Sequence, residues 1–288
     1  MSTVGSVGNP LKDGVGAAAA AILEWCAGQG VGVLVQEDIA GIVGRGSTAV
    51  PTARLADEAS LIFALGGDGT LLVAVRAVAR AGRETPIFGV NVGSLGFLTQ
   101  VTGDELPQVL ALHRADGFPA RSRMMISARV KGRGEESVAL NDIVIRHGAA
   151  SRMLSLEARV DGEPVTRYSA DGLILSTPTG STAYALSAGG PVVMPSVEAI
   201  VATPICPHSL SVRSCVIPPS AVVEIEVLSG DDQTLVSADG DRVLSVRTGD
   251  TVIVKKAARA AKLVEIGRHS YYEILRRKMR WAGRVIGR

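Results

Sequence analysis

The stretch Ala59-Ser-Leu-Ile-Phe-Ala-Leu-Gly-Gly-Asp-Gly-Thr70 joins an apolar run to a glycine-rich turn. The run is short and ends in turn residues, which predicts a buried strand. Residues 71–80 continue without a helix breaker, which predicts a helix. Strands that alternate with helices are typical of α/β proteins with a parallel sheet, where ligands bind at the carboxyl ends of the strands. The glycine-rich turn is therefore a candidate binding site.

The same alternation extends on both sides of this stretch. Val31–Val35 and Pro86–Val90 are further short apolar runs, and a second glycine-rich loop, Asn91–Leu98, follows the later run. Both glycine-rich loops therefore fall at predicted carboxyl ends of strands, and a ligand there would meet two walls of backbone N–H groups.

From Arg121 onward the pattern changes to short alternating segments separated by Gly, Asp and Pro, which is typical of an all-β sandwich. The last apolar periodicity, at 271–280, predicts a helix that returns to the first domain. We therefore predict an α/β domain over residues 1–119, completed by the tail 267–288, and a sandwich-like β domain over residues 120–266.

Composition narrows the classes of protein to consider. The chain has 288 residues, 47% hydrophobic and 20% charged, which is ordinary for a globular protein. Its net charge of +2 is too small to argue for a nucleic-acid partner, and the apolar run 17–23 is too short to span a bilayer. Cys26, Cys206 and Cys215 lack metal-ligand spacing and favour a reducing compartment. We expect a cytoplasmic protein with neither nucleic acid nor membrane as partner.

The turn Gly66–Thr70 has the composition of a phosphate-binding loop. Its glycines let backbone N–H groups approach phosphate oxygens, and the start of a helix favours anions. Asp68 would be held ionised at that positive end, ready to accept a proton from a hydroxyl. No G-x-x-x-x-G-K-[ST] motif occurs, so phosphoryl transfer would proceed without a P-loop. The alternative is an aspartate that only caps the helix.

A second stretch, Asp171-Gly-Leu-Ile-Leu-Ser-Thr-Pro-Thr-Gly-Ser-Thr-Ala-Tyr184, places many hydroxyl groups on a strand-to-helix turn. A polar ligand would satisfy so many donors. Earlier in the chain, Asn141 and Asp142 stand side by side. The amide of Asn141 suits adenine and the carboxylate of Asp142 suits ribose hydroxyls, although an Asx turn is the alternative. Asp239-Gly-Asp241 predicts a hairpin turn.

Together and in this order, these motifs resemble those of the bacterial NAD kinases, which phosphorylate the adenosine ribose 2′-hydroxyl of NAD to give NADP. The resemblance runs from about residue 59 to residue 282. Gly66–Thr70 alone is shared with lipid kinases and phosphofructokinases, whereas the run Ser176–Tyr184 joined to it is more specific. Before residue 59, the first fifty residues match little beyond Asn9-Pro-Leu-Lys12.

The resemblance implies a role for each matching residue. Asp68 would be the general base, Gly67 and Gly69 would lie against phosphates, and Asn141 and Asp142 would contact the adenosine ribose. The other residues implied at the NAD site are Arg152, Ser169, Asp171, Thr182, Ala183, Tyr184, Ala185, Leu186, Ser187 and Asp241. Tyr184 would lie near adenine. The metal ligands stay unknown.

The resemblance also implies a fold, cofactors and partners. The fold is an α/β domain followed by a β-sandwich-like domain, with the last helix returning to the first. The substrates are NAD and ATP, with inorganic polyphosphate as an alternative donor, and the cofactor is a divalent metal, Mg²⁺ by preference. The enzyme would be a cytoplasmic homodimer or homotetramer.

Three positions depart from the family pattern. Asp142 stands where many members carry the longer Glu, Asp241 where Gln is common, and Ser169 where some carry Arg. These differences leave the choice between NAD and NADH open. Two other functions also stay open: a lipid or sugar kinase that uses the first turn, and a dinucleotide-binding regulator without catalysis.

Overall fold

The computed structural model describes residues 3–93, 96–99, 101–148, 153–209, 211–229 and 234–281. The chain divides into two compact units. The first contains Met1–Ser122 together with Ala261–Arg288, and the second contains Arg123–Ala260.

The first unit alternates strands and helices up to residue 111. In chain order its elements are β1 (Thr3–Gly8), α1 (Val15–Gln29), β2 (Gly32–Gln36), α2 (Glu37–Val43), β3 (Thr48–Val50), α3 (Thr52–Glu58), β4 (Leu61–Gly66), α4 (Asp68–Arg80), β5 (Ile87–Asn91), β6 (Val101–Thr102), α5 (Leu106–Ala111) and β7 (Ala120–Arg123).

The second unit is built almost entirely of strands. They are β8 (Ile126–Val130), β9 (Glu136–Ala139), β10 (Asp142–His147), β11 (Leu154–Val160), β12 (Glu163–Ala170), β13 (Gly172–Ser176), β14 (Ile200–Ile205), β15 (Cys215–Ile217), β16 (Val223–Ser229), β17 (Thr234–Ala238), β18 (Asp241–Val246) and β19 (Thr251–Lys256). A 3₁₀ turn (Gly180–Thr182) and the short helix α6 (Tyr184–Ser187) follow β13. The chain then returns to the first unit with β20 (Ala261–Val264) and α7 (Tyr271–Met279).

The sheet of the first unit has the order β3-β2-β1-β4-β5-β20-β7, with β6 beside β5. Its strands β3, β2, β1, β4 and β5 are parallel. The registers Gly8↔Leu65 and Gly66↔Asn91 bring the carboxyl ends of β1, β4 and β5 side by side. The predicted α/β fold is therefore confirmed, and the turn after β4 and the loop after β5 both begin at this edge.

Few aromatic residues occur in the chain, and several of them meet in the core of the first unit. The ring centroids of Phe88 and Phe118 lie 5.1 Å apart, and those of Phe63 and Phe88 lie 5.4 Å apart. Trp25 of α1 joins them at 6.0 Å from Phe63. These contacts pack α1 against the sheet, with Phe63 and Phe88 fully buried and Trp25 and Phe118 partly buried.

The closing helix α7 lies in the first unit, as predicted, together with the strand β20 that precedes it. Leu263 of β20 pairs with Ile87 of β5, and the side chains of Ile274 and Leu275 in α7 are buried. Ser270 caps α7 by accepting a hydrogen bond from the Glu273 N–H at 3.1 Å.

The second unit consists of two antiparallel sheets. Their orders are β15-β14-β13-β10-β17-β18 and β12-β11-β16-β19-β8-β9. One core contains Ile143 and Leu173 from the first of these sheets and Leu156 and Val252 from the second. The predicted sandwich is confirmed.

Helix α4 starts three residues earlier than the apolar pattern predicts, at Asp68 instead of Leu71. The extended Gly67 precedes it, and the Leu71 N–H donates to the Gly67 carbonyl at 3.2 Å. An acidic residue in the first turn is stabilised by the helix dipole, so the motif itself begins the helix. Among the helices in the described ranges, none is long and apolar enough to cross a membrane.

Candidate active site

Three loops of the first unit lie next to one another at the carboxyl edge of its sheet. The Asn9 N–H donates to the Leu65 carbonyl at 3.1 Å, and the Val92 N–H donates to the Gly66 carbonyl at 3.0 Å. These bonds connect the loop after β1, the turn Gly66–Thr70 and the loop after β5. The two glycine-rich loops predicted from the sequence are therefore neighbours.

The carboxylate of Asp68 is fixed by the loop after β5. Its Oδ2 accepts the Phe97 N–H at 2.8 Å and its Oδ1 accepts the Leu98 N–H at 3.0 Å. A side chain on Gly96 would overlap this carboxylate, so only glycine leaves it room. A carboxylate has about four acceptor positions and these amides use two, so it can still accept a hydrogen bond from a hydroxyl.

A cavity of about 480 Å³ opens beside this turn. It is lined by Gly8, Asn9, Pro10, Lys12, Gln36, Asp38, Gly67, Gly69, Thr70 and Val73. The glycines expose backbone N–H groups, the N-terminus of α4 favours anions, and Lys12 adds a positive charge. This composition fits the phosphates of a nucleotide. Lys12 was not singled out as a site residue from the sequence, because its spacing in Asn9-Pro-Leu-Lys12 matches no phosphate motif.

Among the residues that the structure describes, no group of three or more His, Cys, Asp or Glu side chains could hold a metal ion by itself. Asp38 lines the cavity and accepts a hydrogen bond from Gln36 Nε2 at 2.7 Å. Mg²⁺ is commonly held by one or two carboxylates together with substrate phosphates and water. The residues present fit a metal of that kind and do not fit a protein-only cage.

In the second unit, part of the run after β13 packs on the outer face of one sheet. Val144 of β10, Ile174 of β13 and Ala185 of α6 form a small buried cluster there, separate from the sandwich core. Because side chains alternate along a strand, Asp142 lies on the same face as Val144. This cluster fastens the run after β13 beside the Asn141–Asp142 segment.

The turn after β13 is hydrogen-bonded to backbone groups of the same segment. The Thr177 N–H donates to the Asn141 carbonyl at 2.8 Å, and Thr177 Oγ1 donates to the Leu140 carbonyl at 2.5 Å. Gly180 approaches the Asn141 carbonyl so closely that any side chain would overlap it. Thr177 and Gly180 of the Ser176–Tyr184 run therefore stabilise the fold as well as forming part of the candidate ligand surface.

Asp239 holds the segment from the other side. Its Oδ2 accepts the Leu140 N–H at 2.9 Å, and its Oδ1 accepts those of Asn141 at 2.7 Å and Asp142 at 3.2 Å. Asp239 and Gly240 both have positive φ, 49° and 84°, as a two-residue hairpin turn requires. Sequence reasoning predicted the hairpin and missed this contact, since only the pairing of β10 with β17 brings the two segments together.

The carboxyl of Asp142 is buried. Burial, and secondarily the nearby charge of Asp239, raise its pKa from 3.8 to about 7. Near neutral pH this group therefore exists in both protonated and ionised forms, and a ribose hydroxyl could pair with either one.

The remaining predicted residues are spread over several elements of the second unit, and one lies outside the described residues. Ser169 and Asp171 frame the end of β14, because the Ser169 carbonyl accepts the His208 N–H and the Asp171 N–H donates to the Ile205 carbonyl, both at 2.9 Å. The run after β13 contains Thr182, Ala183, Tyr184, Ala185, Leu186 and Ser187, with Tyr184 44% exposed and Ala185 buried. Asp241 is exposed at the start of β18, and Arg152 lies outside the described residues.

Family models cover most of the chain. The ATP-NAD kinase N-terminal domain matches residues 4–117, and the ATP-NAD kinase C-terminal domain matches residues 140–266. An NAD kinase of Desulforamulus reducens is 40% identical over 97% of this chain and 98% of its own length. An NAD kinase of Geobacter sulfurreducens is 42% identical over 92% of this chain and 94% of its own length.

Solved structures agree with these matches. Yeast NADH kinase complexed with NADH has a TM-score of 0.83 and 27% identity, covering 100% of this chain and 89% of that protein. An NAD kinase from Archaeoglobus fulgidus in complex with ATP has a TM-score of 0.78 and 26% identity, covering 98% of this chain and 100% of that protein. The findings decide against a lipid or sugar kinase and against a regulator without catalysis. The chain belongs to the NAD kinase family, whose reaction is the phosphorylation of NAD to NADP.

Proposed function

We propose that Asp68 is the general base of this reaction. Its carboxylate accepts the proton of the adenosine ribose 2′-hydroxyl as that oxygen forms a bond to the γ-phosphorus of ATP. The bond from the γ-phosphorus to the bridging oxygen breaks, and ADP leaves with that electron pair. The observation that supports this role is the placement of Asp68. Two backbone amides hold it at the N-terminus of α4, with acceptor positions to spare.

The phosphates of the donor belong, in this proposal, to the cavity beside Asp68. Backbone N–H groups at Gly67 and Gly69 and the ammonium of Lys12 would neutralise their charge. Phosphoryl transfer depends mainly on position and charge neutralisation, and these groups supply both. A divalent ion, Mg²⁺ by preference, would be held by the donor phosphates with Asp38 nearby, and when bound it neutralises charge on the transferred group.

We assign NAD binding to the second unit. Asn141 and Asp142 would hold the adenosine ribose, so that the 2′-hydroxyl is presented in one orientation. Tyr184 is 44% exposed in the hydroxyl-rich run after β13 and would offer a ring face for adenine. We assign Ser169, Asp171, Asp241 and the residues from Thr182 to Ser187 to the rest of the NAD surface. Arg152 keeps the role that the resemblance implies.

The test is formation of NADP by the purified protein. NAD and NADH are each offered with ATP or polyphosphate, with Mg²⁺ present or removed by a chelator, and the product is measured by an NADP-specific dehydrogenase. We expect NADP from NAD with ATP and Mg²⁺, and loss of product with the chelator. Folded protein that forms no NADP with either donor would overturn the proposal.

We further propose that the enzyme acts in the cytoplasm as a homodimer or homotetramer. The resemblance to bacterial NAD kinases supports this assignment. Analytical ultracentrifugation tests the assembly, and a single species with the mass of one 29.8 kDa chain would contradict it.

A further inference from the structure

Asp239 has no direct part in the chemistry proposed above, but its carboxylate makes more contacts to the NAD-binding segment than a hairpin turn requires. Three consecutive N–H groups, those of Leu140, Asn141 and Asp142, donate to it. The Asp239 N–H in turn donates to the Asp142 carbonyl at 3.0 Å. A turn residue that only reversed the chain would not need to gather the amides of another strand.

A second aspartate in a hairpin turn, Asp161, shows which carboxylate contacts such a turn makes elsewhere in the unit. Asp161-Gly162 is also a hairpin turn with positive φ at both positions, 52° and 85°. Its carboxylate accepts one backbone N–H, that of Val222, at 2.8 Å. Asp161 is exposed and its contact lies at the far end of the other sheet, away from Asn141. The two turns therefore share a backbone geometry and differ in what the carboxylate holds.

The segment that Asp239 holds is also fixed from its opposite side. Thr177 donates to the Leu140 carbonyl and accepts the Gly180 N–H at 3.0 Å through the same hydroxyl. Thr177 thus holds the carbonyls of Leu140 and Asn141, while Asp239 holds the three N–H groups and the Asp142 carbonyl. With these contacts in place, the backbone that carries the Asn141 and Asp142 side chains is fixed in one orientation.

We propose that Asp239 is a positioning residue for NAD, which orients Asn141 and Asp142 by binding their backbone amides and does not itself touch the reacting atoms. This inference rests on the proposed function, in which those two side chains hold the adenosine ribose. Hydrogen bonds from backbone N–H groups to a charged acceptor are strong and directional, so one carboxylate can set the orientation of three residues. Asp239 therefore affects NAD binding and leaves the donor site of the first unit unaffected.

The test is Asp239→Asn, which keeps the shape and removes an acceptor oxygen together with the charge. We expect the KM for NAD to rise by about 10- to 100-fold, as loss of charged hydrogen bonds predicts. The KM for ATP should change by less than about twofold, because the amides that Asp239 holds belong to the second unit and the groups assigned to ATP belong to the first. Asp161→Asn is the matched control, with the same loss in the same kind of turn and both KM values unchanged.

Asp239→Glu separates charge from geometry. It keeps the charge but moves the carboxylate by one methylene, so a positioning role predicts an elevated KM for NAD here too. Recovery of the normal value in this variant would mean that charge alone matters and would overturn the inference.

Two further measurements keep the outcome decisive. If Asp239→Asn loses its cooperative unfolding transition, Thr177→Val releases the same segment from its other side and should raise the KM for NAD selectively. A folded Asp239→Asn with an unchanged KM for NAD, or with NAD and ATP weakened equally, overturns the inference. Absence of NADP formation by the unaltered protein would instead overturn the proposed function.

Discussion

Two glycine-containing turns, Gly66–Thr70 in the first unit and Ser176–Thr182 in the second, stabilise polar groups by different means. In the first, the Asp68 carboxylate is held by amides 29 and 30 residues away in one neighbouring loop. In the second, the Asn141–Asp142 segment is held by Thr177 and by Asp239, which lies 98 residues from Asn141. The proposed general base thus depends on one neighbouring loop, whereas the proposed NAD surface depends in addition on a turn 98 residues away. The comparison implies that turnover and NAD binding can be damaged separately.

The largest expected effect is on turnover. Asp68→Asn should reduce kcat by about 10²- to 10⁴-fold, because an amide cannot accept the hydroxyl proton. NAD binding, which we assign to the second unit, should change by less than about threefold. Steady-state kinetics and calorimetric titration with NAD measure the two quantities, and Asp57→Asn in α3 is a control. Near-normal turnover in the folded Asp68→Asn variant would show that the base is another group.

The next prediction compares two glycine substitutions, one in each unit. Gly96→Ala places a methyl group against the Asp68 carboxylate, and Gly180→Ala places one against the Asn141 carbonyl. Misplacing the base should lower kcat by about 10²-fold with NAD affinity kept. Overpacking at Gly180 costs about 1–3 kcal/mol of stability. Loss of the same energy from the positioning of Asn141 would weaken NAD binding by about 5- to 150-fold.

Gly134→Ala is the control for both substitutions, because nothing lies within 4 Å of a side chain at that position. Calorimetric NAD titrations and single-turnover rates on folded protein give the two readouts. The separation of roles fails if Gly96→Ala and Gly180→Ala lose turnover and NAD affinity in the same proportion.

The remaining effect is on stability, not on activity, and it depends on pH. Burial and the Asp239 charge raise the pKa of Asp142 from 3.8 to about 7, so the folded state binds a proton that the unfolded state has lost. The stability that this proton provides is complete below pH 4, falls as pH rises to about 7, and amounts to about 4 kcal/mol in total.

Asp142→Asn removes the loss of stability that occurs when this buried carboxyl ionises. The variant should be more stable than the parent by about 2–4 kcal/mol at pH 8, and the difference should shrink toward pH 4. Urea unfolding followed by circular dichroism at both pH values measures it. An advantage that is equal at pH 4 and pH 8 would mean that Asp142 does not titrate as a buried acid.

Much of this architecture could be predicted from local patterns. The apolar run before Gly66 predicted β4 and the parallel sheet, and the alternation after Arg121 predicted the sandwich. The closing helix was predicted within one residue of its observed end at Met279. Such features depend on the periodicity of neighbouring residues, which is written in the order of the chain. The roles of the site residues remain predictions until the variants are measured.

The amino-acid sequence alone determined the two kinds of domain, the carboxyl-edge location of the glycine-rich turns and the aspartates available for chemistry. Only the tertiary structure decided which amides hold Asp68, which carboxylate gathers the amides of Leu140–Asp142, and why the pKa of Asp142 is raised. The physical reason is distance along the chain. Strand and helix periods are set by residues a few positions apart, whereas a hydrogen bond across 98 residues exists only after the register of β10 and β17 is fixed.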